Sequence, residues 1–185
     1  MGLIRQGILH DLSKYSPTEF IVGAIYYQGD RSPNNAEREK KGYTSAWLHH
    51  KGRNKHHMEY WIDYTTGEGE HGGMGGMKMP TRYVVEMFAD RVAACKNYQK
   101  DEYTKESALK YYERGKEKHM IHEDTAALLE HMLKYLAKYG EKKAYAYVRR
   151  YIMKNDLYCL LHFKWRKGEY DGYEVINKNK KDGES

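Results

Sequence analysis

Two features that the sequence lacks limit where this protein is expected to work. It has only two cysteines in 185 residues, Cys95 and Cys159, each in an apolar stretch, so both are expected to be buried free thiols and not part of a disulfide framework. No uncharged apolar run is long enough to span a bilayer, and residues 1–6 lack the basic and apolar regions of a signal peptide. We therefore expect a cytoplasmic protein with no membrane partner.

The sequence also lacks a block of basic residues. The formal charge is +6, but lysine and glutamate are interspersed through most of the chain, so the surface should attract anions without forming a dedicated DNA-binding arm. This charge pattern suits a phosphorylated small-molecule substrate better than nucleic acid. Phenylalanine is scarce at 3 residues whereas tyrosine is frequent at 19, which predicts helix faces with ring hydroxyls at polar edges.

Strand signals are nearly absent, and apolar residues recur at helical spacing along most of the chain, which predicts an all-α fold. Residues 16–19, Ser-Pro-Thr-Glu, have the order of a capping box and predict a helix that runs to about Tyr27. Four apolar residues of this helix are expected to face the core: Phe20, Ile21, Ala24 and Ile25. The strongest helix is predicted to start at Pro80, after a glycine-rich loop over 65–79.

Four of the ten histidines lie in nine consecutive positions, the run His-His-Lys-Gly-Arg-Asn-Lys-His-His over 49–57. Neutral imidazole is a common ligand for zinc and iron, so this run predicts a metal site. In one geometry, two short helices meet at a corner, with Gly52 ending the first and Asn54 capping the second. In the other, one continuous helix carries His50 and His57 on a common face. The alternative interpretation is a solvated basic surface patch.

Acidic partners for these histidines occur elsewhere in the chain. His10 and Asp11 fall at the end of the first predicted helix, where both side chains can face one site. Asp90 lies on an otherwise apolar face of the helix that follows Pro80. A buried carboxylate needs a partner, so we expect His10, Asp11 and Asp90 to converge.

Three motifs resemble the HD-domain superfamily of metal-dependent phosphohydrolases. Residues 10–14 (His-Asp-Leu-Ser-Lys), 56–59 (His-His-Met-Glu) and 89–91 (Ala-Asp-Arg) are similar to conserved runs of its multi-histidine branches. More narrowly, residues 2–136 resemble an uncharacterised bacterial and phage family marked by HDLSK-S-P-x-E-F and HH-x-G-R-N-x-HH. The resemblance does not extend beyond Gly140.

The resemblance implies a helical bundle around a metal site in residues 1–140, followed by a helical extension and basic tail over 141–185. It implies His10, Asp11 and Asp90 as ligands to one divalent ion, and His50, His56 and His57 as ligands to a second. The ions would be iron, manganese, zinc or magnesium. The superfamily's further upstream histidine has no counterpart before His10. Either the sequence is truncated at this end, or the first ion is held by fewer protein ligands and more water molecules.

The function expected from this resemblance is hydrolysis of a phosphorylated small molecule or nucleotide by metal-activated water. Asp11 would act at the catalytic centre, and three cations would offset charge on the phosphoryl oxygens: Lys14, Arg53 and Arg91. The glycine-rich loop would cover the site. One alternative is a di-iron oxygenase with the same ligands. Another is a non-catalytic basic module that binds nucleic acid or protein, favoured by a cationic cluster near the C-terminus: Lys164, Arg166, Lys167, Lys178, Lys180 and Lys181.

Overall fold

The computed structural model describes residues 2–29, 31–65 and 73–153, and these confirm the all-α fold. The α-helices of the described chain are α1 (Ile4–Ile8), α2 (Pro17–Ile25), α3 (Pro33–Lys41), α4 (Ser45–Lys51), α5 (Thr81–Gln99), α6 (Ser107–Gly115), α7 (Glu123–Tyr139) and α8 (Glu141–Tyr147). Short 3-10 segments span Leu12–Tyr15, Met58–Trp61, Lys100–Glu102 and Lys116–Lys118, and a π-helical turn spans Val148–Ile152. None of the described helices has the length and apolar content that crossing a bilayer requires.

The hydrophobic core lies between α5 and α7 and is closed by α6 and α8. Apolar residues spaced three and four apart give each long helix one buried face. The buried side chains of α5 include Val84, Val85, Phe88 and Val92, and those of α7 include Leu129, Met132, Leu133 and Leu136. Cys95 is a buried free thiol in this core, as predicted, whereas Cys159 and the basic tail lie outside the described residues.

A two-stranded antiparallel ribbon precedes α5, and its second strand lies in the stretch 65–79 that was predicted as loop. Strand β1 (Ile62–Tyr64) pairs with β2 (Met74–Gly76), so that Ile62 is opposite Gly76. A Cβ atom on Gly76 would lie 2.7 Å from both the His122 nitrogen and the Met120 oxygen, so this position requires glycine. Residues 66–72, the centre of the predicted covering loop, are outside the described chain.

The orientation of α2 differs from the prediction. Phe20, Ile21 and Ile25 were expected in the core, but their exposed fractions are 61%, 54% and 68%. The helix buries Glu19 instead, and this carboxylate binds histidines of α4. The predicted capping box is also wrong. Ser16 occupies the N-cap position, but no side chain forms a capping hydrogen bond with the helix. A polar partner across the structure, and not the apolar pattern, sets the face that α2 turns inward.

The histidine run forms a corner, as in the first of the two predicted geometries, but only its first histidine pair lies on a helix, since His56 and His57 lie in a turn. Helix α4 begins after Thr44, whose hydroxyl accepts a hydrogen bond from the Trp47 amide at 3.2 Å, and it ends before Gly52. Asn54 does not cap a second helix. Its side-chain amide donates to the His50 carbonyl at 2.9 Å and to the Ser13 hydroxyl at 2.8 Å, which holds the corner against the segment after α1.

Candidate metal centre

Three segments of the chain meet at the predicted site: the end of α1, the α4 corner and the middle of α5. Asp11 has a left-handed backbone, with φ of 58°, a conformation that aspartate tolerates better than most residues. This turn breaks the helical spacing between His10 and Asp11, so both adjacent side chains reach the same region. The structure thereby brings His10, Asp11 and Asp90 together, with the His10 Nε2 atom 3.3 Å from a carboxylate oxygen of each aspartate.

Asp11 is the buried centre of the site. Its Oδ1 atom lies 3.3 Å from His50 Nε2 and 3.4 Å from His56 Nε2. Its Oδ2 atom lies 3.3 Å from His10 Nε2 and 2.5 Å from Lys14 Nζ. One carboxylate therefore joins the histidine of the first segment to those of the α4 corner.

The potential ligand atoms form two groups. In each group, the ligand atoms lie within 4.8 Å of one another. One group is Asp11, His50, His56 and His57, and the other is His10, His56 and Asp90. This differs from the division expected from the resemblance, in which Asp11 joined His10 and Asp90. Asp11 is grouped with the corner histidines because Oδ1 faces them.

Three buried atoms of the first group make no hydrogen bond of good geometry: Asp11 Oδ1, His56 Nε2 and His57 Nε2. The nearest partners of Asp11 Oδ1 are His50 Nε2 and His56 Nε2, at 3.3 Å and 3.4 Å. Leaving a buried polar atom unsatisfied costs about 1–3 kcal/mol, so three of them at one place need an explanation. A cation would satisfy all three at once, and a mixed set of imidazole and carboxylate donors suits divalent transition metals. The residues present therefore fit a metal ion.

Two glutamates that sequence reasoning did not assign to the site orient the histidines. Glu19 accepts hydrogen bonds from His49 Nδ1 at 2.6 Å and from His50 Nδ1 at 2.8 Å. A carboxylate on Nδ1 fixes the ring and leaves Nε2 directed at the site, the usual arrangement around a metal-binding histidine. His49 accordingly lies outside both ligand groups and contacts Glu19, whereas His50 faces Asp11.

Glu86 does the same on the other side of the site. Its Oε1 atom lies 2.9 Å from His10 Nδ1 and 3.4 Å from His56 Nδ1, and Gln6 donates to Oε2. The available signal was its position four residues before Asp90, which places both carboxylates on one face of α5. Glu19 gave no such signal, because its position in a capping box explained it locally.

Hydrogen bonds and burial shift the pKa values of the titratable groups in the site. Hydrogen bonds to Asp11, Asp90 and Glu86 raise the pKa of His10 to about 11. Burial opposes ionisation of Asp11, but its contacts with His10, His50 and Lys14 outweigh it and hold the pKa of this carboxyl well below its usual range. Burial and the neighbouring His56 and His50 lower the pKa of His57 to about 3, so its lone pair is available at neutral pH.

The predicted cations do not all reach the site. Lys14 lines the cavity beside it, but Arg53 is exposed and donates to the His49 carbonyl at 3.3 Å. The Arg91 guanidinium lies 5.6 Å and 5.8 Å from the ring centroids of Tyr111 and Tyr112 of α6. Neither arginine lines the cavity, so their prediction as groups that approach substrate is corrected. Arg91 follows Asp90 on a helix and is rotated about 100° away from it.

A cavity of about 590 Å³ adjoins the ligand atoms, between α2, α3, α4 and α5. Asp11, His50, His57 and Asp90 are among the residues that line it. This volume is within the range of small-molecule binding sites, roughly 300–1,000 Å³. The site can therefore admit a ligand as well as an ion.

The fold and the site together define an all-α protein with a histidine and carboxylate cluster beside a cavity. Residues 1–135 match the model of a family of unknown function, DUF5662, and the chain belongs to this family. Every residue of the two ligand groups lies within the matched part. Comparisons with curated proteins and with solved structures found no match.

Proposed function

We propose that the protein is a metal-dependent phosphohydrolase of the HD-like type. The observation that carries this proposal is the convergence of Asp11 Oδ1, His56 Nε2 and His57 Nε2, three buried atoms without a hydrogen bond of good geometry, at a cavity that Asp11 and His57 line. The resemblance of residues 10–14, 56–59 and 89–91 to the HD-domain motifs supports the same chemistry.

One or two divalent cations would be held by the two ligand groups, and an imidazole-rich set favours zinc or iron over magnesium. When bound, such a cation supplies Lewis acidity, which offsets charge on a phosphoryl oxygen and lowers the pKa of a water molecule. Glu19 and Glu86 keep the histidine rings in place through their Nδ1 atoms, so little reorganisation is needed when substrate binds.

Lys14 has the position to bind the phosphate. Its side chain is 62% exposed, lines the cavity and pairs with buried Asp11 at 2.5 Å, so the ammonium is held beside this carboxylate. From there it can also donate to a phosphoryl oxygen. Asp11 keeps its other oxygen directed at His50 and His56 while this occurs.

The test is elemental analysis and phosphatase assay of purified protein and of His57→Ala. We expect near-stoichiometric metal and hydrolysis of phosphomonoesters in the parent protein, and loss of both in the variant. His131→Gln is the control, because this histidine lies on α7 and contacts Tyr147, outside both ligand groups. Metal and activity retained in His57→Ala, and in alanine variants of His50 and His56, would contradict the proposal.

Spectroscopy of the same protein sample distinguishes a di-iron oxygenase from a phosphohydrolase. A visible absorption band that changes with reductant and oxygen, without phosphatase activity, would favour an oxygenase over a phosphohydrolase.

A further inference from the structure

Two kinds of side chain line the cavity. Asp11, His50, His57 and Asp90 belong to the ligand groups, and small and aromatic side chains of α2, the segment after it, α4 and α5 form much of the remainder. The aromatic members are Phe20, Tyr27, Trp47 and Tyr98. Two of these, Phe20 and Tyr27, have exposed fractions of 61% and 73%. Large aromatic side chains left exposed around a polar site are typical of a surface that contacts a ligand.

Charge in the cavity is scarce and mostly negative. Among the described residues that line it, Lys14 is the only lysine or arginine, and it is paired with Asp11. The carboxylates that line the cavity are Asp11, Glu19 and Asp90. A bound divalent cation and Lys14 can balance one phosphate group, but the cavity offers no further lysine or arginine for a second or third phosphate.

Trp47 lies beside the ligand residues and also lines the cavity. Its ring lies 4.7 Å from the His57 ring and 5.7 Å from the His50 ring. A flat group attached to a phosphate at the ligand atoms would therefore meet an indole directly. Stacking of aromatic rings adds affinity beyond the apolar area that it buries.

From this division we infer that the substrate is the monophosphate ester of an uncharged alcohol that carries a flat ring. The inference rests on the proposed function and specifies its substrate class. In the reaction, the bond from phosphorus to the alcohol oxygen breaks and a water oxygen takes its place. The alcohol leaves with a proton from that water, and the other product is inorganic phosphate. Aryl phosphates and nucleoside monophosphates share this chemistry.

The test compares kcat/KM of the metal-loaded protein on four substrates: phenyl phosphate, a nucleoside 5′-monophosphate, the matching triphosphate and glycerol 2-phosphate. We expect one or both ring monophosphates to be preferred over glycerol phosphate by about tenfold or more, and the triphosphate to be poor, because its extra charges meet carboxylates. The ratio between phenyl and nucleoside esters distinguishes the two sources of the ring. Preference for glycerol phosphate or for the triphosphate would overturn the inference.

A variant that fills part of the cavity tests directly whether its aromatic lining binds the ring of the substrate. A Cβ atom on Gly23 of α2 meets no atom within 4 Å, and this glycine lines the cavity. Gly23→Leu should raise KM for the ring esters by about tenfold with little change for glycerol phosphate, because leucine occupies the space of the ring. Gly7→Leu is the matched control: it is an exposed helical glycine of α1 with the same open surroundings, outside the cavity.

Calorimetric titration with phenylphosphonate and methylphosphonate separates this inference from the proposed function. Phosphonates are not hydrolysed, so their binding reports the cavity alone. Tighter binding of phenylphosphonate without turnover of any ester would support the ring site and contradict the phosphohydrolase. Ester turnover with equal binding of the two phosphonates would support the enzyme and overturn the ring site.

Discussion

At the scale of single residues, Asp11 links the features of this site. Its two oxygens face different partners, His50 and His56 on one side and His10 and Lys14 on the other. These contacts fix the orientation of the carboxylate as well as balancing its charge. Substitutions of its neighbours should therefore distinguish residues that contact substrate from residues that position the ligands.

Lys14 is the residue that we expect to act on substrate. Lys14→Met keeps the apolar stem but removes the ammonium, and should lower kcat/KM for phosphomonoesters by about a hundredfold, the scale of losing one donor to a developing charge. Because the side chain is exposed, metal content and melting temperature should change little. Lys40→Met, on the exposed surface of α3, is the control and should leave activity unchanged. A collapse of melting temperature in Lys14→Met would instead assign this lysine a structural role.

Glu19 is a positioning residue and should affect the metal first. Glu19→Gln weakens the hydrogen bonds that hold the Nδ1 atoms of His49 and His50, and should lower metal affinity by about tenfold to a hundredfold. The measurement is a competition titration with a chromogenic chelator. Glu39→Gln changes an exposed carboxylate that pairs with Arg31 and should leave the affinity unchanged. Unchanged affinity in Glu19→Gln would show that Glu19 does not act through the ligands.

At the scale of elements, the β-ribbon is attached to the segment before α7 by backbone contact. In Gly76→Ala the new methyl group would lie under 3.0 Å from backbone atoms of residues 120–122, which cannot yield as a side chain can. We expect a loss of about 1–3 kcal/mol in the free energy of unfolding, measured by denaturant titration.

Gly75→Ala is the matched control for this ribbon. Its methyl group would meet one side-chain atom, Cγ2 of Thr65, at 2.7 Å, and that side chain is exposed. A rotation of Thr65 relieves the contact, so the loss of stability should be clearly smaller than in Gly76→Ala. Equal losses in the two variants would show that the approach to residues 120–122 does not matter.

At the scale of the whole molecule, the site connects segments that are distant in sequence. Residues 10–14, 49–57 and 86–90 contribute its polar groups, so an ion held there would join α1, the α4 corner and α5. Such an ion should stabilise the folded state as a whole. At a free concentration a hundred times the dissociation constant, the gain is about 2.7 kcal/mol, seen as a rise in melting temperature.

The control for this prediction is the same scan on His57→Ala with and without metal and with a chelator. This variant should melt at one temperature in all three conditions, whereas the parent protein should respond to metal. A metal-dependent rise of equal size in both proteins would place the binding elsewhere in the chain.

Local patterns predicted much of this fold. The apolar spacing after Pro80 predicted the long helix α5, because packing of a helix depends mainly on the side chains along one stripe. Gly52 marked the end of α4, since helix termination involves mainly neighbouring residues. The convergence of His10, Asp11 and Asp90 also followed from sequence, because each is polar in an apolar helical context.

What the sequence by itself determined is therefore that the chain is mainly helical and that His10, Asp11 and Asp90 share one site. Only the tertiary structure decided what each face meets. Glu19 contacts histidines 30 and 31 residues away, Glu86 contacts His10 at a separation of 76, and Arg91 packs on α6. The helical period of a sequence predicts which side chains share a face. The contacts of that face depend on how the helices pack in the folded protein. In α2, burial of one paired carboxylate took precedence over burial of three apolar side chains.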